Sequence, residues 1–307
     1  MTRRTFIESS LLAAAALPAF AQTRLPIHDA VEYSMLPENV GIPERFQIAH
    51  DAGFERIECP TTPDQSQAEA MKKAAEKAGI KIHSVMNMDH WKFPLSSPDP
   101  AVVERSLAGA RTSLHNAKLW GADTVLIVPA VVDPQTSYRD AYTRSQASIR
   151  KLIPLAEELH VSIALEEVWN KFLLSPIEFA AYIDSFKTEW VRAYFDVGNV
   201  KLYGYPEDWI RTLGHRIVKL HIKDFSFRHS AAEWRPLLEG DIDWAAVYSA
   251  LKAINFHGTA TVELPSGDEA YLKEVHRRLI MILDGTAKPI SKPMAANGAR
   301  DRESKYL

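Results

Sequence analysis

The chain has 307 residues, 46% of them apolar and 24% charged, the ordinary composition of a folded globular protein. That excludes a disordered or collagen-like chain, and a lone cysteine, Cys59, excludes a disulfide scaffold. With 36 basic and 39 acidic residues the formal charge is −3, which supplies no long-range attraction for nucleic acid or an acidic membrane.

Residues 1–21 (MTRRTFIESSLLAAAALPAFA) read as an export signal, not as part of the fold. Arg3 and Arg4 precede an apolar run from about Ile7 to Leu17, which is too short to span a bilayer. Ala19-Phe20-Ala21 then offers small residues where a signal peptidase reads. Thr2-Arg3-Arg4-Thr5-Phe6-Ile7 is similar to a twin-arginine motif; an ordinary secretory signal carrying two arginines is the alternative. The expected partner is therefore the twin-arginine export machinery, and the expected address is exported, periplasmic or extracellular, without a stable membrane anchor. Proteins on that route cross already folded. They can load a chosen metal before meeting Zn²⁺ or Cu²⁺ outside, ions that would win on affinity.

Beyond the signal, apolar runs of strand length alternate with helical patterns. A strand at 30–35 precedes a helix at 43–52, stopped by Gly53. A strand at 56–59 precedes an Ala- and Lys-rich helix at 65–78, stopped by Gly79. Strands at 81–86 and 123–129 lead into helices at 101–120 and 138–159. Strands at 162–166 and 192–196 lead into helices at 176–186 and 206–213. Strands at 218–222 and 259–263 lead into helices at 244–254 and 271–283. The strands are rich in Val, Ile, Leu and Ala without strict polar alternation, as in strands covered on both faces.

Eight such units in a little over 250 residues fit an α/β fold of the (β/α)₈ TIM barrel type, a single domain over 22–284 followed by a polar tail at 285–307. A doubly wound sheet would place a glycine-rich turn after the first strand. Ser34-Met35-Leu36-Pro37-Glu38 stands there instead.

The last four strands each end at or near a metal-capable side chain: Glu166 in IALEE, Asp196 in YFDVGN, His221 in KLHIKD and Glu263 in TVELP. Taken singly, such a carboxylate more often caps a helix, and such a histidine is more often satisfied in the core. Four in the same register, on staves that lie side by side, can converge at the C-terminal mouth where barrel chemistry sits. Uncompensated carboxylates there cost several kcal/mol and repel one another. One divalent metal ion removes both penalties. Three oxygen donors and one imidazole, with no thiolate, suit Mn²⁺, Mg²⁺ or Co²⁺ better than a structural Zn²⁺ site.

At these residues the sequence resembles the xylose-isomerase-like sugar isomerase/epimerase superfamily, which includes tagatose and psicose 3-epimerases, hydroxypyruvate isomerases and inosose dehydratases. The motifs ALEEVWNKF, YFDVGN, HIKD, GDIDW and VELP carry the resemblance, which covers about 30–283. It implies that Glu166, Asp196, His221 and Glu263 hold the metal. It further implies that Glu166 and Glu263 act as base and acid around a metal-stabilised enediolate. Glu167 stands where many relatives have Asn, and should point to the opposite side of the strand from Glu166. Lys171-Phe172-Leu173-Leu174 lacks the acidic substrate contact of ketose epimerases.

Further candidates for substrate binding are His90 and Trp91 after the third strand, Asn199, Lys223 and Arg228. A Trp face suits the apolar side of a sugar ring, with lid packing the alternative. For Asn199 the alternative is turn duty. Lys223 either neutralises developing charge or pairs with Glu239 or Asp241.

The function expected is a divalent-metal-dependent isomerase or epimerase acting on an unphosphorylated sugar or keto-sugar. A lyase or hydratase on a keto-sugar or keto-glycoside would use the same centre, and a sugar-binding protein without turnover is a third reading. A nuclease, which the barrel also supports, would need further metal histidines and a basic face, and no nucleic-acid partner is expected. Relatives often pair through barrel helices, so a homo-oligomer is compatible with the resemblance.

Overall fold

A computed structural model describes residues 24–87, 89–228 and 231–288. The export signal expected at 1–21 lies outside the described residues, as does the expected tail beyond residue 288. Among the described residues no helix is long and apolar enough to cross a membrane.

Eight parallel strands close into a barrel. In chain order they are β1 (His28–Glu32), β2 (Arg56–Pro60), β3 (Lys81–Met86), β4 (Thr124–Ile127), β5 (Ser162–Glu166), β6 (Val191–Asp196), β7 (Ile217–Ile222) and, after a two-stranded insertion, β10 (Thr259–Val262). The insertion is an antiparallel hairpin, β8 (Asp224–Arg228) and β9 (Ala231–Arg235), lying outside the ring. Around the ring β5, β6, β7 and β10 are consecutive neighbours, so their C-terminal ends share one arc of the mouth.

The helices packed on the outside are α1 (Ile42–Asp51), α2 (Gln65–Ala78), α3 (Pro100–Trp120), α4 (Tyr138–Arg150), α5 (Ile153–Leu159), α6 (Pro176–Asp184), α7 (Pro206–Leu213), α8 (Trp244–Ala253) and α9 (Glu269–Leu283). Their ends follow local chemistry. Asp64 caps α2 by accepting from the N–H of Ser66 and Gln67, and Gly79 ends it at φ 72°, a left-handed conformation that costs glycine least.

Side-chain alternation along the staves decides what enters the lumen. In β5, Ile163 and Leu165 pack outward into the helical layer, whereas Ala164 packs inside with Met86, Leu126 and Tyr194. Glu166 has the parity of Ala164, and Asp196 that of Tyr194. Both carboxylates are therefore delivered to the lumen side by the same alternation that buries the apolar layer beneath them.

The expected elements need four corrections. The first strand stops at Glu32, and Tyr33–Met35 tighten into a 3₁₀ turn; Tyr33 and Met35 are buried there, so their apolar character reflected burial, not strand. The fourth is shorter, Thr124–Ile127. The single helix expected at 138–159 is two, because Pro154 lies in the first turn of α5 and offers no N–H to continue α4. The last stave ends at Val262, and Glu263 extends past it with its N–H on the carbonyl of Ile222 at 3.2 Å.

The hairpin β8–β9 was not anticipated. Its foot is Asp224, a buried carboxylate that accepts from the N–H of Phe225 and Leu238, both at 2.8 Å, and from Trp244 Nε1 at 3.1 Å.

Candidate active site

The four strand-end residues meet. One donor atom from each of Glu166, Asp196, His221 and Glu263 lies within 4.8 Å of the others. His221 is the hub. Its Nδ1 stands 2.8 Å from Glu166 Oε1, 3.0 Å from Glu263 Oε2 and 3.9 Å from Asp196 Oδ2. Its Nε2 faces the other way, 2.8 Å from Glu58 Oε1.

Lys223 lies two residues beyond His221, on the same side of the chain. Its ammonium bridges Asp196 Oδ2 at 2.9 Å and Glu263 Oε2 at 2.8 Å. Neither partner suggested from sequence holds it. Glu239 pairs with Arg278 at 2.6 Å, and Asp241 accepts from the Ser226 hydroxyl at 2.7 Å.

Burial and charge separate the protonation behaviour of the two glutamates. Burial pushes the Glu166 carboxyl up to about 7, reinforced by Glu263 and Asp196 and opposed by His221. Burial acts in the same direction on Glu263, but Lys223 and His221 outweigh it and hold that carboxyl well below the usual range. For His221, burial disfavours the charged ring. The surrounding Tyr194, Glu263, Glu166 and Glu58 prevail and raise it well above an ordinary histidine.

The donor set fits a divalent cation. Four carboxylates, counting Glu58, crowd two basic side chains in a buried space, an arrangement that costs energy unless further positive charge enters. Oxygen-rich donors with one imidazole and no thiolate suit a hard or intermediate ion. Glu167 takes no place in the cluster, in keeping with the opposite face expected for it. Its Oε1 accepts the N–H of Asp196 at 3.0 Å, and burial, then the charges of Glu166 and Asp196, push its own carboxyl well up.

The other candidates sort by partner. Asn199 does turn duty with its amide nitrogen, which donates to the carbonyl of Glu167 at 3.0 Å, while its backbone N–H donates to Asp196 Oδ1 at 2.8 Å. His90 is buried, with Nδ1 2.7 Å from the carbonyl of Asn87, and its ring lies 5.1 Å from that of Trp91. Trp91 is 37% exposed. The backbone of Arg228 ends β8, and its side chain lies outside what the structure describes.

Two features of the site were not read from the sequence. One is Glu58, a single carboxylate in RIECP. The other is an aromatic wall beside Lys223. Trp234 of β9 stacks on Trp169 at 4.9 Å, the Lys223 ammonium lies 5.0 Å over the Trp234 ring, and Phe225 meets both indoles edge-on. The period-two alternation of DFSFR and AEWR was the available signal.

The model of the xylose isomerase-like TIM barrel family matches residues 46–280, more than half of the chain. The chain belongs to that family. Among its relatives, L-ribulose-5-phosphate 3-epimerase UlaE of Escherichia coli (strain K12) is 24% identical over 233 residues, which is 72% of this chain and 81% of UlaE. A D-tagatose 3-epimerase-like protein of known structure superposes with a TM-score of 0.73 at 15% identity, covering 85% of this chain and 98% of that one. The 3-keto-D-glucoside 4-epimerase YcjR from E. coli superposes with a TM-score of 0.70 at 17% identity, covering 83% and 98%. These two likenesses show a shared xylose isomerase-like fold.

Proposed function

We propose that the protein is a divalent-metal-dependent isomerase or epimerase of an unphosphorylated sugar or keto-sugar. The observation that carries this reading is the convergence of Glu166 and Glu263 on one buried centre with Asp196 and His221. These four side chains would hold the ion, and Mn²⁺ is the ion we favour for them, ahead of Mg²⁺ and Co²⁺. Once bound, the cation supplies positive charge against the negative charge that develops on the sugar oxygens.

Glu166 and Glu263 perform the proton transfers. One takes the proton from the carbon beside the carbonyl, and the other delivers a proton. Delivery to the opposite face of the same carbon inverts it; delivery to the neighbouring carbon isomerises the sugar. Lys223, paired to both Asp196 and Glu263, holds Glu263 in place and offers a cation at the edge of the reacting centre. Trp91 and His90 lie on the β3–α3 connection, and we assign them to the substrate-facing side of the mouth.

The epimerase relatives support the reaction class. UlaE is named for a phosphorylated pentulose, whereas YcjR is named for a keto-glucoside. The N-terminal twin-arginine-like segment supports an exported, periplasmic or extracellular enzyme, reached through the twin-arginine machinery. Phosphorylated sugars are mostly cytosolic, so the unphosphorylated class is the reading we adopt.

The test is proton exchange. Mn²⁺-loaded protein is incubated in D₂O with matched keto-sugars and their phosphates, then protein and metal are removed before NMR. Deuterium beside the carbonyl of an unphosphorylated sugar, with the carbon skeleton intact, is the expected result. Exchange confined to the phosphates overturns the substrate class, and loss of water or an aglycone assigns a lyase. Glu263→Gln should abolish exchange, while Trp91→Phe should mainly weaken binding.

A further inference from the structure

We infer that Glu58 is a positioning residue for the metal centre: anchored by Ser84, it fixes the His221 ring so that Nδ1 is the nitrogen presented to the ion. The inference rests on the metal-centre reading above and goes beyond the four donors.

Glu58 lies on β2, which contributes no donor to the cluster. Between β2 and β7 the ring places β1 and β10, so the carboxylate reaches His221 across the barrel lumen. Both residues are fully buried. Glu58 Oε1 meets His221 Nε2 at 2.8 Å. Its second oxygen accepts the hydroxyl of Ser84, the residue directly paired with Glu58 between β2 and β3. The other ring nitrogen, Nδ1, faces Glu166 and Glu263.

A neutral imidazole that ligates through one nitrogen carries its proton on the other, and in a dry interior that N–H needs an acceptor. Glu58 is the acceptor. Tyr194 completes the clamp from the ring face. Its aromatic ring lies 4.4 Å from that of His221, and its hydroxyl bonds Thr261 Oγ1 at 3.1 Å. His221 is thus held at one edge by Glu58 and on one face by Tyr194, which leaves a single nitrogen free to face the carboxylates.

The experiment compares wild type with Glu58→Leu, Glu58→Gln and Ser84→Ala. Mn²⁺ affinity is read by titration calorimetry of the metal-free proteins, with circular dichroism confirming the fold. In the Co²⁺-loaded proteins, the metal-shifted imidazole N–H proton is read by NMR. Glu58→Leu is expected to weaken Mn²⁺ binding by about 10–100-fold and to lose the N–H signal to solvent exchange. Glu58→Gln keeps an oxygen acceptor, so it should retain the signal and bind between the two. Ser84→Ala should weaken binding by a smaller factor and quicken exchange of the N–H.

Wild-type affinity in Glu58→Leu overturns the role, as does a wild-type N–H signal assigned to Nδ1. If the leucine variant does not fold, unchanged affinity and unchanged N–H exchange in Ser84→Ala overturn it instead. Failure of the wild type to take up either ion overturns the metal centre itself, a result distinct from a metal-binding protein indifferent to Glu58.

Discussion

The carboxylate of Glu167 accepts the backbone N–H of Asp196 at 3.0 Å, and the carbonyl of the same residue accepts the Asn199 amide at 3.0 Å. One residue just past β5 thereby ties down the end of β6 at the point where Asp196 enters the cluster. Glu167→Gln keeps the acceptor and should leave the urea midpoint almost unchanged. Glu167→Ala leaves the buried Asp196 N–H unpaired and should cost about 1–3 kcal/mol. Denaturation curves of the two variants check this.

Acid should weaken the fold partly through His90. Burial lowers its pKa from 6.5 to about 4, with the Asn87 carbonyl only partly opposing. Below pH 6.5 the unfolded chain takes up a proton that the folded chain refuses until about pH 4. In that window the unfolded state binds more protons, so stability falls as the pH drops, by up to about 3 kcal/mol from this one group. His90→Gln should flatten the stability profile between pH 6.5 and 4 while leaving it nearly unchanged above pH 7. Urea unfolding at half-unit steps of pH tests the slope.

Metal removal should act on stability as well as turnover. On the proposed metal reading, chelation would return the buried carboxylates to mutual repulsion, and the linkage for an ion at 100 times its dissociation constant is about 2.7 kcal/mol. The melting temperature should therefore fall on dialysis against chelator and recover on adding Mn²⁺. A melting temperature indifferent to both treatments would contradict the metal centre.

Asp224 holds the hairpin foot through three donors. Asp224→Ala should strand buried N–H groups and cost about 2–4 kcal/mol. Gly240 sits so close that a β-carbon there would stand 2.6 Å from the Phe225 carbonyl oxygen, and Gly240→Ala should act in the same direction. Limited proteolysis should cut both variants first in the hairpin.

The barrel was legible because each stave is a short apolar run followed by a helical pattern. The four donors were legible because each stands where such a run ends. Glu58 was not. In RIECP it is one acid between Ile57 and Cys59, and only closure of the ring brings β2 within reach of β7 across the lumen. Lys223 is legible as a cation two residues from His221, but its partners Asp196 and Glu263 lie far from it in sequence and only the ring brings them to it. The break between α4 and α5 was written in Pro154, which a continuous helical period overrode.

The hairpin leaves the chain after β7 and returns before α8 without pairing to any stave. Its length can therefore vary without disturbing the hydrogen-bonded ring, whereas Trp234, over which the Lys223 ammonium lies, couples the hairpin to the carboxylate cluster. Reshaping Trp234 would thus alter the surroundings of Lys223, and through it the carboxylates, with no change to the staves.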